Sequence, residues 1–292
     1  MHKSGFVNII GSPNVGKSTL MNQLVGERIS IITSKAQTTR HRIKGIVNGE
    51  DYQIVYSDTP GVLKPAYKLH DAMLGFVNEA FSDADVLLIV VDAEEEKINN
   101  DEVFEKILKT KTPMLLLLNK IDIFKSQEEL NARVDYWKEL IPNAEVVPFS
   151  ALNKFNMDHI QKRIVELLPE NPPFYPKDQL TDKSERFFVE EKLREKILLY
   201  YEKEIPYSVE VLVTEFKELP EIIRISTDIY VMRESQKGII IGPNAAAIKR
   251  VGTAARKDLE VFFQKKIFLE TFVKVKKDWR NDDNQLKRFG YR

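Results

Sequence analysis

Apolar residues along the chain form two continuous runs, at 86–91 and 114–118, with a shorter one at 146–149, and mostly apolar stretches at 6–10 and 53–57. Such runs lack the polar alternation of a half-solvated strand. They suit strands buried on both faces, as in a parallel sheet covered by helices. Helical patterns lie between them, one beginning at Gly16 and others at about 99–110, 127–140 and 156–168. Strands alternating with helices predict an α/β domain with a mostly parallel sheet and helices on both faces.

The order changes after Leu168. Pro169, Pro172, Pro173 and Pro176 follow closely and predict a stiff linker. Beyond it the pattern predicts a helix at about 184–203 and strands at 207–217 and 221–233. A short helix around 235–241 precedes a Gly-Pro-Asn turn, a longer helix covers about 244–264, and a strand runs 267–276. That order, α-β-β-α-α-β, is a separate α+β domain. The expected division is 1–168 for the first domain, 169–183 for the linker, 184–276 for the second domain and 277–292 for a polar, irregular or weakly helical tail.

Composition narrows the possibilities. The 292 residues are 43% hydrophobic and 30% charged, enough to bury two cores. There is no cysteine, so disulfides and thiolate metal sites are excluded. No apolar run approaches the roughly 18 residues of a membrane span, and the start is too short and polar for a signal peptide. A cytoplasmic protein is expected. The net charge is zero but uneven: residues 1–174 carry 20 Lys and Arg against 24 Asp and Glu, whereas 249–292 carry 13 against 6. A basic C-terminal segment fits an anionic partner for that half, or a solvated helix face.

Gly11-Ser12-Pro13-Asn14-Val15-Gly16-Lys17-Ser18 matches G-x-x-x-x-G-K-[ST] between a strand and a helix. The glycines let backbone N–H groups curl around phosphates, and the helix N-terminus, with Thr19 in its first turn, adds its dipole. Lys17 is expected to reach the β- and γ-phosphates, and the Ser18 hydroxyl to ligate Mg²⁺. Asp58-Thr59-Pro60-Gly61 follows a strand; an Asp there can hold Mg²⁺ through a water, and Gly61 can donate its N–H to a γ-phosphate. Asn119-Lys120-Ile121-Asp122 follows the run 114–118 and decides the base. Guanine presents two adjacent donors, N1–H and the N2 amino group, which one carboxylate accepts together; adenine would leave Asp122 unpaired. Asn119 can tie this loop to the phosphate loop, and the Lys120 stem can cover a base face. In Ser150-Ala151-Leu152 a backbone N–H from Ala151 can bind guanine O6. Between the first helix and Asp58, the polar stretch Ser30 to Arg42 holds Gln37-Thr38-Thr39-Arg40; a threonine there, Thr39 in preference to Thr38, can meet Mg²⁺ when a γ-phosphate is present. The expected catalytic groups are Lys17, Thr39 and Gly61. Val62 stands where Ras-like proteins carry a water-orienting glutamine, so hydrolysis is expected to be slow and no general base is assigned.

Together these motifs resemble the Era-like family of bacterial P-loop GTPases, through the strings from Lys3 to Leu20 and from Lys35 to Arg42. The C-terminal order resembles a type II KH domain, and Trp279, Leu286, Phe289, Gly290 and Tyr291 resemble the family's closing segment. The resemblance implies a switch that binds GTP with Mg²⁺, acts in maturation of the small ribosomal subunit and binds near the 3′ end of 16S ribosomal RNA. It also implies a cytoplasmic protein peripherally associated with the inner membrane face, and a monomer is expected. Asn14 matches an asparagine that coordinates potassium in related GTPases. A KH domain grips nucleic acid with G-x-x-G; here the string is Gly242-Pro243-Asn244-Ala245. Ala245 is expected to begin a helix, at negative φ, with Lys237, Lys249 and Arg250 supplying charge and Arg256 and Lys257 nearby. The residues alone leave open an ATP-dependent P-loop enzyme such as a kinase, a nucleotide-binding protein with little turnover, and a basic half that attaches chiefly to membrane.

Overall fold

The structure is a computed structural model and describes residues 1–291. It divides into two compact units, one of residues 1–66 and 70–182, the other of 67–69 and 183 onward.

In the first unit the strands are β1 (Lys3–Gly11), β2 (Ile43–Asn48), β3 (Tyr52–Asp58), β4 (Val86–Asp92), β5 (Met114–Asn119) and β6 (Glu145–Pro148). They form one sheet in the order β2-β3-β1-β4-β5-β6. All neighbours are parallel except β2 and β3. Residues 86–91 and 115–118 are wholly buried, as their unbroken apolar character requires. The helices are α1 (Lys17–Val25), α2 (Lys68–Ser82), α3 (Asp101–Lys109), α4 (Gln127–Leu140) and α5 (Met157–Leu167). The sequence reading assigns no element to 43–48 or 68–82. β2 is a six-residue strand with a glycine, Gly45, at its third position, so its sequence signal is weak. Helix α2 does carry an apolar stripe, with Leu69, Ala72, Met73, Val77 and Ala80 all buried. β1 has β3 on one side and β4 on the other, so the strand order reverses at its carboxyl end. That is where open α/β sheets bind ligands.

Residues 169–182, read above as a stiff linker, are hydrogen-bonded into the first unit. Ser4 N–H donates to the Pro169 carbonyl at 3.1 Å and Ile46 N–H to the Leu180 carbonyl at 2.8 Å. The Gln53 amide oxygen accepts from the N–H groups of Phe174 and Tyr175, and its nitrogen donates to the Tyr175 carbonyl. Proline lacks an N–H, but its carbonyl still accepts, so the segment docks along β1, β2 and β3.

The second unit contains α6 (Glu185–Tyr200), β7 (Glu210–Glu218), β8 (Ile222–Val231), α7 (Glu234–Ile241), α8 (Ala246–Phe263) and β9 (Lys266–Val275). β8 pairs antiparallel with β7 and parallel with β9. Val189, Leu193 and Ile197 of α6 pack with Val251, Ala255 and Leu259 of α8 and with the inner faces of β7 and β8. The tail is more ordered than its polar sequence suggests. A 3₁₀ turn covers Trp279–Asn281 and α9 covers Asp283–Arg288. Trp279 and Leu286 are fully buried. The Trp279 indole N–H donates to the Ser208 carbonyl at 3.0 Å, and the Tyr291 hydroxyl to Glu210 at 2.5 Å. A few anchors carry this packing, so the tail shows no hydrophobic period.

One half-buried carboxyl should make this unit sensitive to pH. Glu190 accepts from Val213 N–H at 2.8 Å. Burial pushes it up to about 7, and the nearby Glu210 and Glu191 act in the same direction. The folded unit therefore holds a proton that the unfolded chain has released. The associated stability is complete below the unfolded value near 4.5 and is lost as pH rises through 7. At about 1.4 kcal/mol per unit of pKa, the loss is on the order of 3 kcal/mol. Hydrogen exchange of the β7 and β8 amides should accelerate between pH 5 and pH 8 beyond its intrinsic increase. E190Q, which keeps the acceptor without the charge, should remove that excess; an unchanged excess would exclude Glu190 as its source.

Candidate nucleotide-binding site

The loop between β1 and α1 is held by close approaches that admit no side chain. A Cβ on Gly11 would lie 2.1 Å from the Val90 carbonyl oxygen of β4. Gly16 has φ +102°, in the left-handed region. Asn14 also turns left-handed, at φ 65°. Lys17 is buried, and its ammonium donates to the carbonyls of Gly11 at 3.0 Å and Ser12 at 2.8 Å. Burial pushes its pKa down to about 8, against the pull of the Asp58 and Glu95 carboxylates. An anion arriving at this loop meets an amine that gains by being charged.

Three oxygen donors converge beside it. Ser18 Oγ donates to Asp58 Oδ2 at 2.7 Å and lies 2.9 Å from Thr39 Oγ1. Thr39 Oγ1 donates to the same carboxylate oxygen at 3.2 Å. Thr38 is held elsewhere, with its hydroxyl on Thr33 Oγ1 and the Lys35 carbonyl. Asp58 is fully buried, and burial pushes its pKa up, with Lys17 and the Ser18 hydroxyl opposing. Two hydroxyls and a carboxylate suit a hard, oxygen-seeking cation such as Mg²⁺. Thr59 Oγ1 donates to the Ile9 carbonyl at 2.7 Å, and Val62 N–H to the Gly11 carbonyl at 3.0 Å. These bonds hold Asp58 to Val62 against the phosphate loop. The Val62 side chain lies in the apolar core with Ile10 and Val77, and offers nothing to orient water. A Cβ on Gly61 would fall 2.8 Å from Pro13 Cα, so only glycine permits this approach.

Asn119 joins three loops. Its amide nitrogen donates to the Val15 carbonyl at 2.8 Å, and its oxygen accepts from Ala151 N–H at 2.9 Å. The Ala151 amide assigned above to guanine O6 is thus held by Asn119 in this structure. Asp122 sits exposed at the rim, and Ser150 Oγ donates to its Oδ1 at 2.5 Å. Lys120, at φ 62°, reaches back to Asp92 at 3.0 Å. A cavity of about 310 Å³ runs from Pro13, Lys17 and Thr39 to Asn119, Asp122 and Leu152. Sequence reasoning missed Glu95, whose carboxyl accepts from the Ser12 hydroxyl and is pushed up by burial. No local pattern marks it, because the contact spans 83 residues.

A family model described as "50S ribosome-binding GTPase" matches residues 6–120, and one described as "KH domain" matches 204–280. GTPase Era of Staphylococcus haemolyticus (strain JCSC1435) is 44% identical over 292 residues, covering 99% of this chain and 97% of that protein. The chain belongs to the Era family of GTPases. Like other Era proteins it is a P-loop GTPase that hydrolyses GTP and carries a KH domain. A crystal structure of Era in complex with MgGDPNP and nucleotides 1506–1542 of 16S ribosomal RNA matches with a TM-score of 0.96 at 36% identity, covering 100% of this chain and 99% of that one. A point variant of Aquifex aeolicus Era bound to GDP·AlF4⁻ matches with a TM-score of 0.95 at 36% identity over 99% of each chain.

The KH loop of this Era protein corrects one expectation. Ala245 does not begin a helix at negative φ. Asn244 has φ 49° and Ala245 φ 58°, and α8 starts one residue later. The chain needs left-handed residues to reverse between α7 and α8, where the family motif has glycine. Alanine in that region costs on the order of 1 kcal/mol. Gly242, at φ 69°, could not carry a side chain, because its Cβ would meet that of Ala247 at 2.7 Å. Pro243, Asn244, Lys249 and Arg250 are exposed and Lys237 is half-buried. The Arg250 guanidinium lies over the Tyr200 ring at 4.7 Å. Helical spacing alone would put all of Leu198-Leu199-Tyr200-Tyr201 in the core, yet Leu199 and Tyr200 are exposed and only Leu198 and Tyr201 are buried.

Proposed function

We propose that GTP binds in the cavity above β1, with guanine read by Asp122 and the phosphates by the N–H groups of the Gly11–Ser18 loop and by Lys17. Ser18 and Thr39 would hold Mg²⁺ directly and Asp58 through a water. When bound, Mg²⁺ neutralises charge on the β- and γ-phosphate oxygens. Lys17 adds positive charge at the same oxygens, and the Gly61 N–H binds the γ-phosphate. Thr39 is drawn in with GTP and released with GDP, which makes residues 30–42 a switch. The observation that carries this reading is the meeting of Ser18, Thr39 and Asp58 within 3.2 Å beside the Lys17 ammonium. Val62 supplies no polar group, so intrinsic turnover is slow. Asn14, turned into the cavity lining, would hold potassium beside the phosphates. Turnover should be several-fold faster in potassium than in sodium buffer, and equal rates would remove the potassium site.

The KH domain, we further propose, binds 16S ribosomal RNA near its 3′ end through Gly242–Ala245, Lys237, Lys249 and Arg250, and the protein assists assembly of the small ribosomal subunit. The solved relative that holds that RNA supports this reading. The protein would work as a monomer in the cytoplasm, with any membrane contact peripheral. Among the described residues no helix is long and apolar enough to cross a membrane. The test is RNA binding by the full chain loaded with a non-hydrolysable GTP analogue or with GDP. Replacing both Lys249 and Arg250 by glutamine should lower RNA affinity about tenfold or more and reduce the salt slope by about 2. Equal RNA affinity of wild type and variant would place the RNA elsewhere.

A further inference from the structure

Arg42 stands three residues after Thr39, and it is nearly buried although the site described above makes no use of it. Its Nε donates to Ser57 Oγ at 2.7 Å. One terminal nitrogen donates to Asp83 Oδ2 at 2.8 Å; the other donates to Asp83 Oδ1 at 2.8 Å and to Asn8 Oδ1 at 3.1 Å. Asn8 is locked in turn, donating to the Ala80 carbonyl and to Asp83 Oδ1, both at 2.7 Å. A single guanidinium thus ties together β1, β3 and the end of α2, with the bidentate fork on a carboxylate that a lysine cannot reproduce.

The clamp borders the proposed metal site on two sides. Ser57 immediately precedes Asp58, and Ile43, next to Arg42, pairs in register with Asp58 across β2 and β3. The chain that delivers Thr39 therefore leaves the sheet at the point where Arg42 grips it. The neighbouring His41 ring lies 6.1 Å from that of Phe76, in the middle of α2. The root of the 30–42 segment is fastened at two places to the helix that follows Asp58–Val62.

We infer that Arg42, clamped by Asp83, is a positioning residue that sets Thr39 against Asp58 and so controls how strongly Mg²⁺ retains nucleotide. Removing the clamp loosens both roots at once. The loss is larger with a γ-phosphate present, because on the proposed reading Thr39 ligates Mg²⁺ only in the GTP state. The inference rests on the Mg²⁺ reading above.

The test measures release of fluorescent GDP and of a fluorescent non-hydrolysable GTP analogue from the full chain as free Mg²⁺ is varied, with the thermal midpoint recorded for each variant. Wild type should release nucleotide faster as Mg²⁺ is withdrawn. R42K should raise the Mg²⁺ concentration for half-maximal retention of the GTP analogue by about tenfold, and D83N by about threefold, with smaller shifts for GDP. The double variant should show less than the sum of the two effects, because the residues act as one clamp. A half-point within twofold of wild type in both variants, whether or not the thermal midpoint falls, would overturn the positioning role. Equal shifts for GDP and the GTP analogue would also overturn it, since they would point to general loosening. Wild-type release that ignores Mg²⁺ would remove the metal reading and this inference with it.

Discussion

Asp122→Asn should move the nucleotide preference of this protein from GTP to XTP. The carboxylate is an acceptor only, and guanine offers it two donors, N1–H and the N2 amino group. Asparagine presents one acceptor and one amino group, so the N2 amine of guanine meets a donor. Xanthine carries an oxygen at that position and restores the match. The side chain is already fixed in place, since Ser150 Oγ donates to Asp122 Oδ1 at 2.5 Å and itself accepts from Asn153 N–H at 3.2 Å. Two hydrogen bonds to a charged acceptor contribute on the order of 1.5–3 kcal/mol each. GTP affinity should therefore fall about 10²- to 10⁴-fold, while XTP affinity rises. Competition of GTP, XTP and ATP against a fluorescent GDP measures both. A D122N protein that binds GTP within tenfold of wild type would falsify the assignment of Asp122 to the base. Wild type preferring ATP would overturn the guanine site altogether.

The parts of the site that could be read before the structure are those whose chemistry fixes a spacing. Phosphate contact through backbone N–H groups demands Gly11, Gly16, Lys17 and Ser18 at set intervals, and base recognition demands a carboxylate just past a buried strand. Where two residues offer the same group side by side, as with Thr38 and Thr39, only the path of the backbone chooses between them. It turns Thr38 to Thr33 and Thr39 to Ser18 and Asp58. Long-range partners such as Glu95 on Ser12 and Arg42 on Asp83 leave no local pattern. The fold shows the same division. Strands β4 and β5 announce themselves by unbroken apolar runs. β2 is short and contains Gly45, the tail is held by scattered anchors, and Ala245 occupies a left-handed turn that its residue type disfavours. Helix α2 is the exception, an element left unassigned although its buried positions follow a helical period.

Gly16→Ala tests whether the phosphate loop and the base loop work as one unit. Gly16 has φ +102°, and an added Cβ would sit 2.2 Å from Asn119 Nδ2. That amide bridges the Val15 carbonyl and, through its oxygen, the Ala151 N–H. The methyl group and Asn119 cannot both keep their places, so the side chain that joins three loops must move. Backbone strain costs on the order of 1–2 kcal/mol. Each buried bond left unmade costs about 1–3 kcal/mol more. If these costs fall on the nucleotide complex, affinity for GTP and GDP drops about 10²- to 10⁴-fold. Gly26 separates strain from collision. It closes α1 at φ +81°, yet a Cβ there meets nothing within 4 Å. G26A should therefore lower thermal stability by the strain alone and leave nucleotide affinity within a few-fold of wild type. Isothermal titration with GDP, alongside thermal unfolding of both variants, reads the two quantities separately. Were G16A and G26A to lose affinity equally, left-handed strain and not the Asn119 hub would set binding. Loss in G16A alone ties base recognition to the loop that holds the phosphates, through one side chain that touches both.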